Sequence, residues 1–236
     1  MSKALIVGAG EGLSASLARK LAARGYDVIL AARNTEKLTD IVADTGAKAV
    51  ACDASDEASM DGLFAAMDEV PGNLAVAIYN PSGRARGPVT DLDREAVKQA
   101  MLVTAYGAFL MAQLATQRML QQKMEDGKRG ALLFTGASAG VKGFPRSSSF
   151  AMGKFALRGL CQSLARELHP QGIHVGHFVI DGGIENRNRP ERISPEGKPH
   201  SMLDPDAIAE SYLHLLDQHP SSWSWEMELR PYVESF

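Results

Sequence analysis

Apolar, β-rich runs alternate with helix-patterned stretches along nearly the whole chain, and this alternation restricts the fold more than any other feature. "ALIVG" (4–8) reads as a buried strand, and Leu13, Leu17 and Leu21 then recur every four residues, as one face of a helix does. "DVILAA" (27–32) and "AKAVACD" (47–53) are the next strands, with a charged helix around Glu36 to Asp44 between them. A helix from about Asp56 to Val70 leads to a fourth strand, "LAVAIYN" (74–80). A long helical pattern covers about Asp93 to Gln122, followed by a fifth strand, "GALLFTG" (130–136). A helix over roughly Ser148 to His169 and a sixth strand, "IHVGHFVI" (173–180), come next. Asp204 as N-cap and Pro205 in the first turn open a helix over 204–218, and "SWEMELR" (224–230) supplies a seventh strand.

Strands that are apolar throughout, each followed by a helix, imply a parallel sheet covered on both faces. Right-handed crossovers make that a doubly wound, Rossmann-like α/β architecture of about seven strands. No repeat or linker divides the chain, so a single domain is expected over 1–236. The one long irregular stretch, 181–203, holds Pro190, Pro195 and Pro199 and follows a strand's carboxyl end. A loop of that length is usually functional, and it reads as a substrate-side lid.

Composition narrows the function classes. A formal charge of −3 supplies no field that would gather nucleic acid or an anionic membrane. No apolar run approaches the roughly 20 residues needed to span a bilayer, and Met1 to Val7, broken by Gly8, does not read as a signal peptide. Cys52 and Cys161 lie far apart without a CxxC pair, which fits reduced core thiols and a cytoplasmic location. His174 and His177 are three apart on a predicted strand and so face opposite sides, and the other histidines show no ligand spacing; no metal site is expected.

"VGAGEGLS" (7–14) joins the first strand to the first helix. Gly8, Gly10 and Gly12 there permit a tight turn in which backbone amides approach a pyrophosphate at a helix N-terminus. An ordinary strand–helix turn can carry the same glycines. At the end of the second strand, "LAARN" offers Arg33 and no acid. An acid would hold a ribose 2′-hydroxyl, whereas a guanidinium can fork onto a 2′-phosphate, so NADP(H) is favoured over NAD(H). A solvated surface arginine is the alternative, and Glu11 within the turn counts against a strongly basic phosphate pocket.

These segments resemble the short-chain dehydrogenase/reductase family across essentially the whole chain. "VGAGEGLS" is similar to its TGxxxGxG motif, with Val7 for the Thr and Ser14 for the last Gly. "YNPSG" (79–83) resembles the NNAG segment through Asn80, and "TGASAG" (135–140) puts Ser138 in the catalytic serine's place. "FAMGKFAL" (150–157) resembles YxxxK with Lys154 retained and Phe150 for the tyrosine, as in a minor branch of the family. Thr104 occupies the position of the catalytic Asn, while Asp181 and Asn186 stand at the ends of a PGxxxT-like segment. The resemblance implies a cofactor site formed by Gly8, Gly10, Glu11, Gly12, Leu13, Arg33, Asp53, Ala54, Asn80, Lys154, Gly182 and Ile184. It implies Ser138, Lys154 and Phe150 at the reacting centre, a small-molecule substrate, and a homodimer or homotetramer built through the helices near 93–122 and 148–169.

In the family reaction tyrosine protonates the substrate oxygen, lysine lowers its pKa and bonds the nicotinamide ribose, and serine holds the oxygen. Phenylalanine can neither give nor take a proton, and losing a positioned general acid costs about 10²–10⁴ in rate. Lys154 can keep its ribose contact, or end in solvent or on a carboxylate. Ser147, Tyr79, Tyr106 or a water on Ser138 are the substitute proton sources in reach of the motif. Three readings follow. The first is an NADP(H)-dependent oxidoreductase with an incomplete tetrad, and the second a non-catalytic relative that binds NADP(H) as a sensor or partner subunit. The third is chemistry that never needed the acid, such as reduction of an activated double bond. Arg187, Arg189, Arg192 and Lys198 in the 181–203 loop could attract an acidic substrate, but Glu185, Glu191 and Glu196 interleave with them, which favours a solvated loop.

Overall fold

The computed structural model describes residues 2–234; Met1, Ser235 and Phe236, the ends of the domain expected over 1–236, lie outside the described residues. Seven strands, all paired in parallel, form one sheet: β1 (Ser2–Val7), β2 (Tyr26–Ala32), β3 (Lys48–Ala51), β4 (Asn73–Tyr79), β5 (Gly130–Thr135), β6 (Ile173–Ile180) and β7 (Glu226–Leu229). Their order is β3-β2-β1-β4-β5-β6-β7. The chain therefore reverses its winding direction between β1 and β4, and a crevice opens at the carboxyl ends of those two strands.

Period-two alternation along the strands divides the core between the two faces of the sheet. Leu5, Val7 and Ile29 point to one face. There they pack with Met60 and Phe64 of α3 (Glu57–Asp68), Met111 of α5 (Gly107–Gln121) and Leu157 of α6 (Ser148–Leu168). Ala4, Ile6 and Leu30 point to the other. Their partners are Leu13, Leu17 and Leu21 of α1 (Leu13–Ala23), Ile41 of α2 (Thr39–Thr45), and Ile208 and Tyr212 of α7 (Pro205–Asp217). Every one of these side chains is at most 3% exposed, which is why the strands read as unbroken apolar runs. Asp204 caps α7 as its spacing predicts, accepting from the Asp206 amide at 2.7 Å, with Pro205 in the first turn.

Three local differences from the sequence pattern bear on the site. The third strand ends at Ala51 because the Asp53 amide turns away to the Ser59 hydroxyl at 2.9 Å. The charged helix near 36–44 is a 3₁₀ turn (Thr35–Leu38) running into α2. The long helix near 93–122 is two helices, α4 (Arg94–Met101) and α5, joined by a π turn over Leu102–Tyr106. The wider turn frees the Val103 carbonyl, which accepts from the Tyr79 hydroxyl at 2.5 Å. Gly107 follows, and a Cβ there would lie 2.1 Å from the Ala54 carbonyl oxygen, so its bare backbone is what lets α5 press against the strand ends.

Candidate active site

A cleft of about 1100 Å³ opens at the β1–β4 switch point. Gly8, Gly10 and Glu11 of the glycine turn, Ala32 and Arg33 at the end of β2, and Asp53 and Ala54 after β3 form its walls. The turn needs its glycines. Gly8 has φ 80° and a Cβ there would meet Pro81 at 2.6 Å, while Gly12 has φ 92°. Ser14, where the family motif has glycine, donates from its hydroxyl to the Gly8 carbonyl at 3.1 Å and accepts from the Asn80 amide at 2.6 Å. Asn80 thus ties the turn to β4 without itself lining the cleft, and Leu13 turns its side chain into the core.

Charges of both signs line the cleft. Asp53 accepts from the hydroxyl and the amide of Ser55 at 2.6 and 2.9 Å, and these bonds, with help from the charge on Arg33, hold its carboxyl below the usual range. Among the described residues, no carboxylate forms an ion pair with Arg33.

A smaller pocket of about 530 Å³ adjoins the cleft, and Ser138 and Phe150 both line it. Ser138 lies in a 3₁₀ turn directly after β5, and Phe150 is in the first turn of α6. One helical turn further on, Lys154 is buried at 2% exposure. Its Nζ donates to the Thr135 carbonyl at 2.6 Å and lies 5.9 Å from the centre of the Phe150 ring. Burial lowers its pKa to about 7, and the Arg84 charge pushes in the same direction. The lysine therefore neither ends in solvent nor pairs with a carboxylate. Thr104, in the π turn, is fully buried against Gly153 of α6, and its hydroxyl accepts from the Gly83 amide at 2.8 Å.

Tyr79 and Tyr106 are both committed elsewhere, Tyr79 to Val103 and Tyr106 to the Glu57 carboxylate. The 181–203 segment starts at Asp181, which is 4% exposed and pairs with Arg230 at 3.0 Å and Lys142 at 3.5 Å. Gly182 packs against Pro231, and Ile184 bridges to Leu203, so neither lines either cavity. Asn186 donates to the Glu11 carbonyl at 3.3 Å, and with Asn188 and Arg189 it walls the cleft. The segment thus lies over the glycine turn, and none of its residues lines the smaller pocket. His174 stacks on Trp223 at 4.5 Å, and His177 bonds Glu226 at 3.0 Å; burial lowers the pKa of each to about 4.

Sequence reasoning missed the loop after β4. In "SGRARG" (82–87), Arg84 and Arg86 line the smaller pocket, where Arg146 joins them from the loop before α6. The Arg84 guanidinium lies 3.6 Å from the centre of the Phe150 ring. Of the residues lining the two cavities, Arg84 alone lines both. The available signal was two arginines two apart just past a strand's carboxyl end, where sites of open α/β sheets gather.

A parallel sheet in this order, with a glycine turn opening onto its switch point and a serine and a lysine behind it, defines a dinucleotide-binding protein of the doubly wound class. Residues 2–191 match the short chain dehydrogenase family, and the chain belongs to it. L-2,3-butanediol dehydrogenase from Corynebacterium glutamicum is 30% identical over 211 residues, covering 84% of this chain and 80% of its own. A short-chain dehydrogenase from Rhodopseudomonas palustris superposes with a TM-score of 0.81 at 31% identity, covering 98% and 99% of the two chains. A metagenomic short-chain oxidoreductase in complex with NADP shares the fold at a TM-score of 0.80 and 24% identity, covering 98% of each chain. Among the described residues, no helix is long and apolar enough to cross a membrane.

Proposed function

We propose that the chain is an NADP(H)-dependent oxidoreductase acting on a small-molecule carbonyl, alcohol or activated double bond, with Phe150 and Thr104 in place of the family's tyrosine and asparagine. The observation that carries this reading is the switch-point cleft, walled by the glycine turn and by an Arg33 that no carboxylate neutralises. NADP(H), when bound, supplies hydride chemistry at its nicotinamide ring. The residues fit it. The bare backbone at Gly8, Gly10 and Gly12 admits a pyrophosphate, Arg33 forks onto a 2′-phosphate, and Asp53 with Ala54 faces the adenine end. The NADP complex of the metagenomic relative supports the choice of cofactor, and the likeness to L-2,3-butanediol dehydrogenase supports a small carbonyl or alcohol.

Ser138 is placed to hold the substrate oxygen, at the wall of a pocket that meets the cleft. Phe150 offers no proton, and Lys154 beneath it, its pKa lowered by burial to about 7, lines neither cavity, so the proton comes from another group or from water held at Ser138. Cys52 and Cys161, both buried and free, fit a cytoplasmic protein. Phe109 on α5 and Met152 and Phe155 on α6 are 41, 52 and 45% exposed, which supports pairing of two copies across those helices.

The test follows NADPH and NADH binding, and NADPH oxidation over a panel of carbonyls and enones, for wild type, Arg33→Ala and Phe150→Tyr. Arg33→Ala is expected to weaken NADPH about tenfold to a hundredfold and leave NADH nearly unchanged. Turnover by wild type supports the enzyme. Turnover by Phe150→Tyr alone replaces it with a non-catalytic protein that binds NADP(H), and failure of wild type to bind either nucleotide removes both.

A further inference from the structure

The smaller pocket carries an excess of positive charge that nothing in the protein answers. Arg84, Arg86 and Arg146 all line it, and no acidic residue does. Several guanidiniums elsewhere in the molecule are neutralised by a carboxylate. Arg19 pairs with Asp44, Arg24 with Asp217, Arg118 with Asp68 and Arg158 with Glu226, each at 2.9 Å or less. Among the described residues, none of the three pocket arginines makes an ion pair or a side-chain hydrogen bond. Arg84 lies partly desolvated against Phe150, and that, together with the charges of Arg86 and Arg192, lowers its pKa. Like charges held together at such a cost to the protein alone are the mark of a site completed by an anion.

The loop that brings them together is anchored at several points. The Ser149 hydroxyl, on a residue 1% exposed, accepts from the Ala85 amide at 2.9 Å and donates to the Ala85 carbonyl at 2.8 Å. The Gly83 amide bonds Thr104, and the Gly87 amide donates to the Arg146 carbonyl at 3.2 Å. Arg146 itself is held at φ 60°, an unfavourable value for a residue with a side chain. Both departures from the family's reacting centre serve this arrangement: Thr104 secures the loop, and Phe150 is the surface on which Arg84 stacks. A stacked guanidinium keeps its N–H edge free for a planar, two-oxygen partner. Phe144 and Pro145 add an apolar wall.

We propose that the substrate pocket takes a small organic anion, a carboxylate or phosphate monoester with an apolar body, gripped by Arg84, Arg86 and Arg146. This rests on reading the pocket as the substrate site of an oxidoreductase, but the binding claim is tested without turnover. Calorimetry of benzoate, phenyl phosphate and neutral benzamide is run on wild type and on the double variant Arg86→Gln/Arg146→Asn, with NADPH titrated into the same samples. Both residues are exposed, and asparagine tolerates the backbone at 146, so the fold is retained; a thermal melt verifies it.

At least one anion is expected to bind about tenfold or more tighter than benzamide, to weaken about tenfold or more in the double variant, and to weaken with added salt. Preference for benzoate or for phenyl phosphate assigns the head group. Benzamide binding as well as the anions, anion affinity unchanged in the double variant, or no anion binding at about 10 mM overturns the proposal. NADPH separates the two readings. Intact NADPH binding without an anion site overturns the anion site alone, and an anion site without NADPH binding overturns the cofactor assignment alone.

Discussion

The cleft and the pocket meet at Arg84, yet they are built on opposite terms. In the cleft, several polar groups are partnered in advance. Asp53 is held by Ser55 and Asn186 by Glu11, and Asn80 behind the wall by Ser14, while Arg33 stays exposed without a carboxylate partner. In the pocket, the backbone is firmly tied by Ser149 and Thr104, while three guanidiniums project without partners. The cleft keeps the family motif's turn glycines, with exchanges at Val7 and Ser14 beside them; the pocket's lining departs from the motif at Phe150, and the loop behind it is held by the exchanged Thr104. A common cofactor demands one backbone geometry, so the cleft has little latitude. The pocket is made of loop side chains on a rigid scaffold, where chemistry can change without disturbing the sheet.

The strongest way to break the cleft's half of this comparison is Gly8→Val. Valine would sit at φ 80° with its Cβ 2.6 Å from Pro81, combining backbone strain with overpacking, each of about 1–3 kcal/mol. A thermal scan should show Tm lower by roughly 10 °C, and a fluorescence titration should show NADPH binding abolished. A variant that melts like wild type and binds NADPH would mean that the turn does not need its glycine there.

Lys154 lies under the boundary between the two regions, and Lys154→Met reads its buried charge. The folded protein holds the ammonium at a pKa of about 7 against 10.5 for an unburied lysine. Between those values the unfolded chain binds more protons, so the wild type should gain stability with rising pH by about 1.4 kcal/mol per unit at most. Lys154→Met lacks that dependence. Urea melts from about pH 6 to pH 10 should therefore show the variant's advantage largest at the acid end and shrinking above pH 7. A constant difference across that range would remove the buried charge from the account.

Thr104→Val is the smallest test, and it sharpens the pocket's half. Valine keeps the packing against Gly153 but leaves the Gly83 amide without its acceptor, at a cost of about 1–2 kcal/mol. Loosening the loop should weaken benzoate or phenyl phosphate severalfold while NADPH affinity holds. Equal losses for both ligands would mean that the loop and the turn respond as one unit.

Much of this was legible before any coordinate. The apolar strand runs, the leucine spacing of α1, the Asp204 cap and the glycine turn each depend on neighbours within a few residues, and local periodicity reports them faithfully. Arg33 was read from the end of the second strand, and Asp53, Ser138 and the Phe150–Lys154 pair from the motif they resemble. The π turn was not legible, because the hydroxyl that occupies its freed Val103 carbonyl belongs to Tyr79, 24 residues away. The 181–203 segment read as a substrate-side lid, but Asn186 binds it to the Glu11 carbonyl beside the cofactor cleft, 175 positions away in sequence.

The sequence by itself determined the doubly wound sheet, the place of the glycine turn, and which motif residues are present or replaced, since each is written in residue type and spacing. Only the tertiary structure decided that Lys154 is sealed beneath Phe150, that Thr104 anchors the loop after β4, and that three arginines from two separate loops surround one pocket. Those facts rest on which side chains the sheet's crossovers carry to its carboxyl edge. Residues distant in the chain become neighbours there, and no local pattern records their meeting.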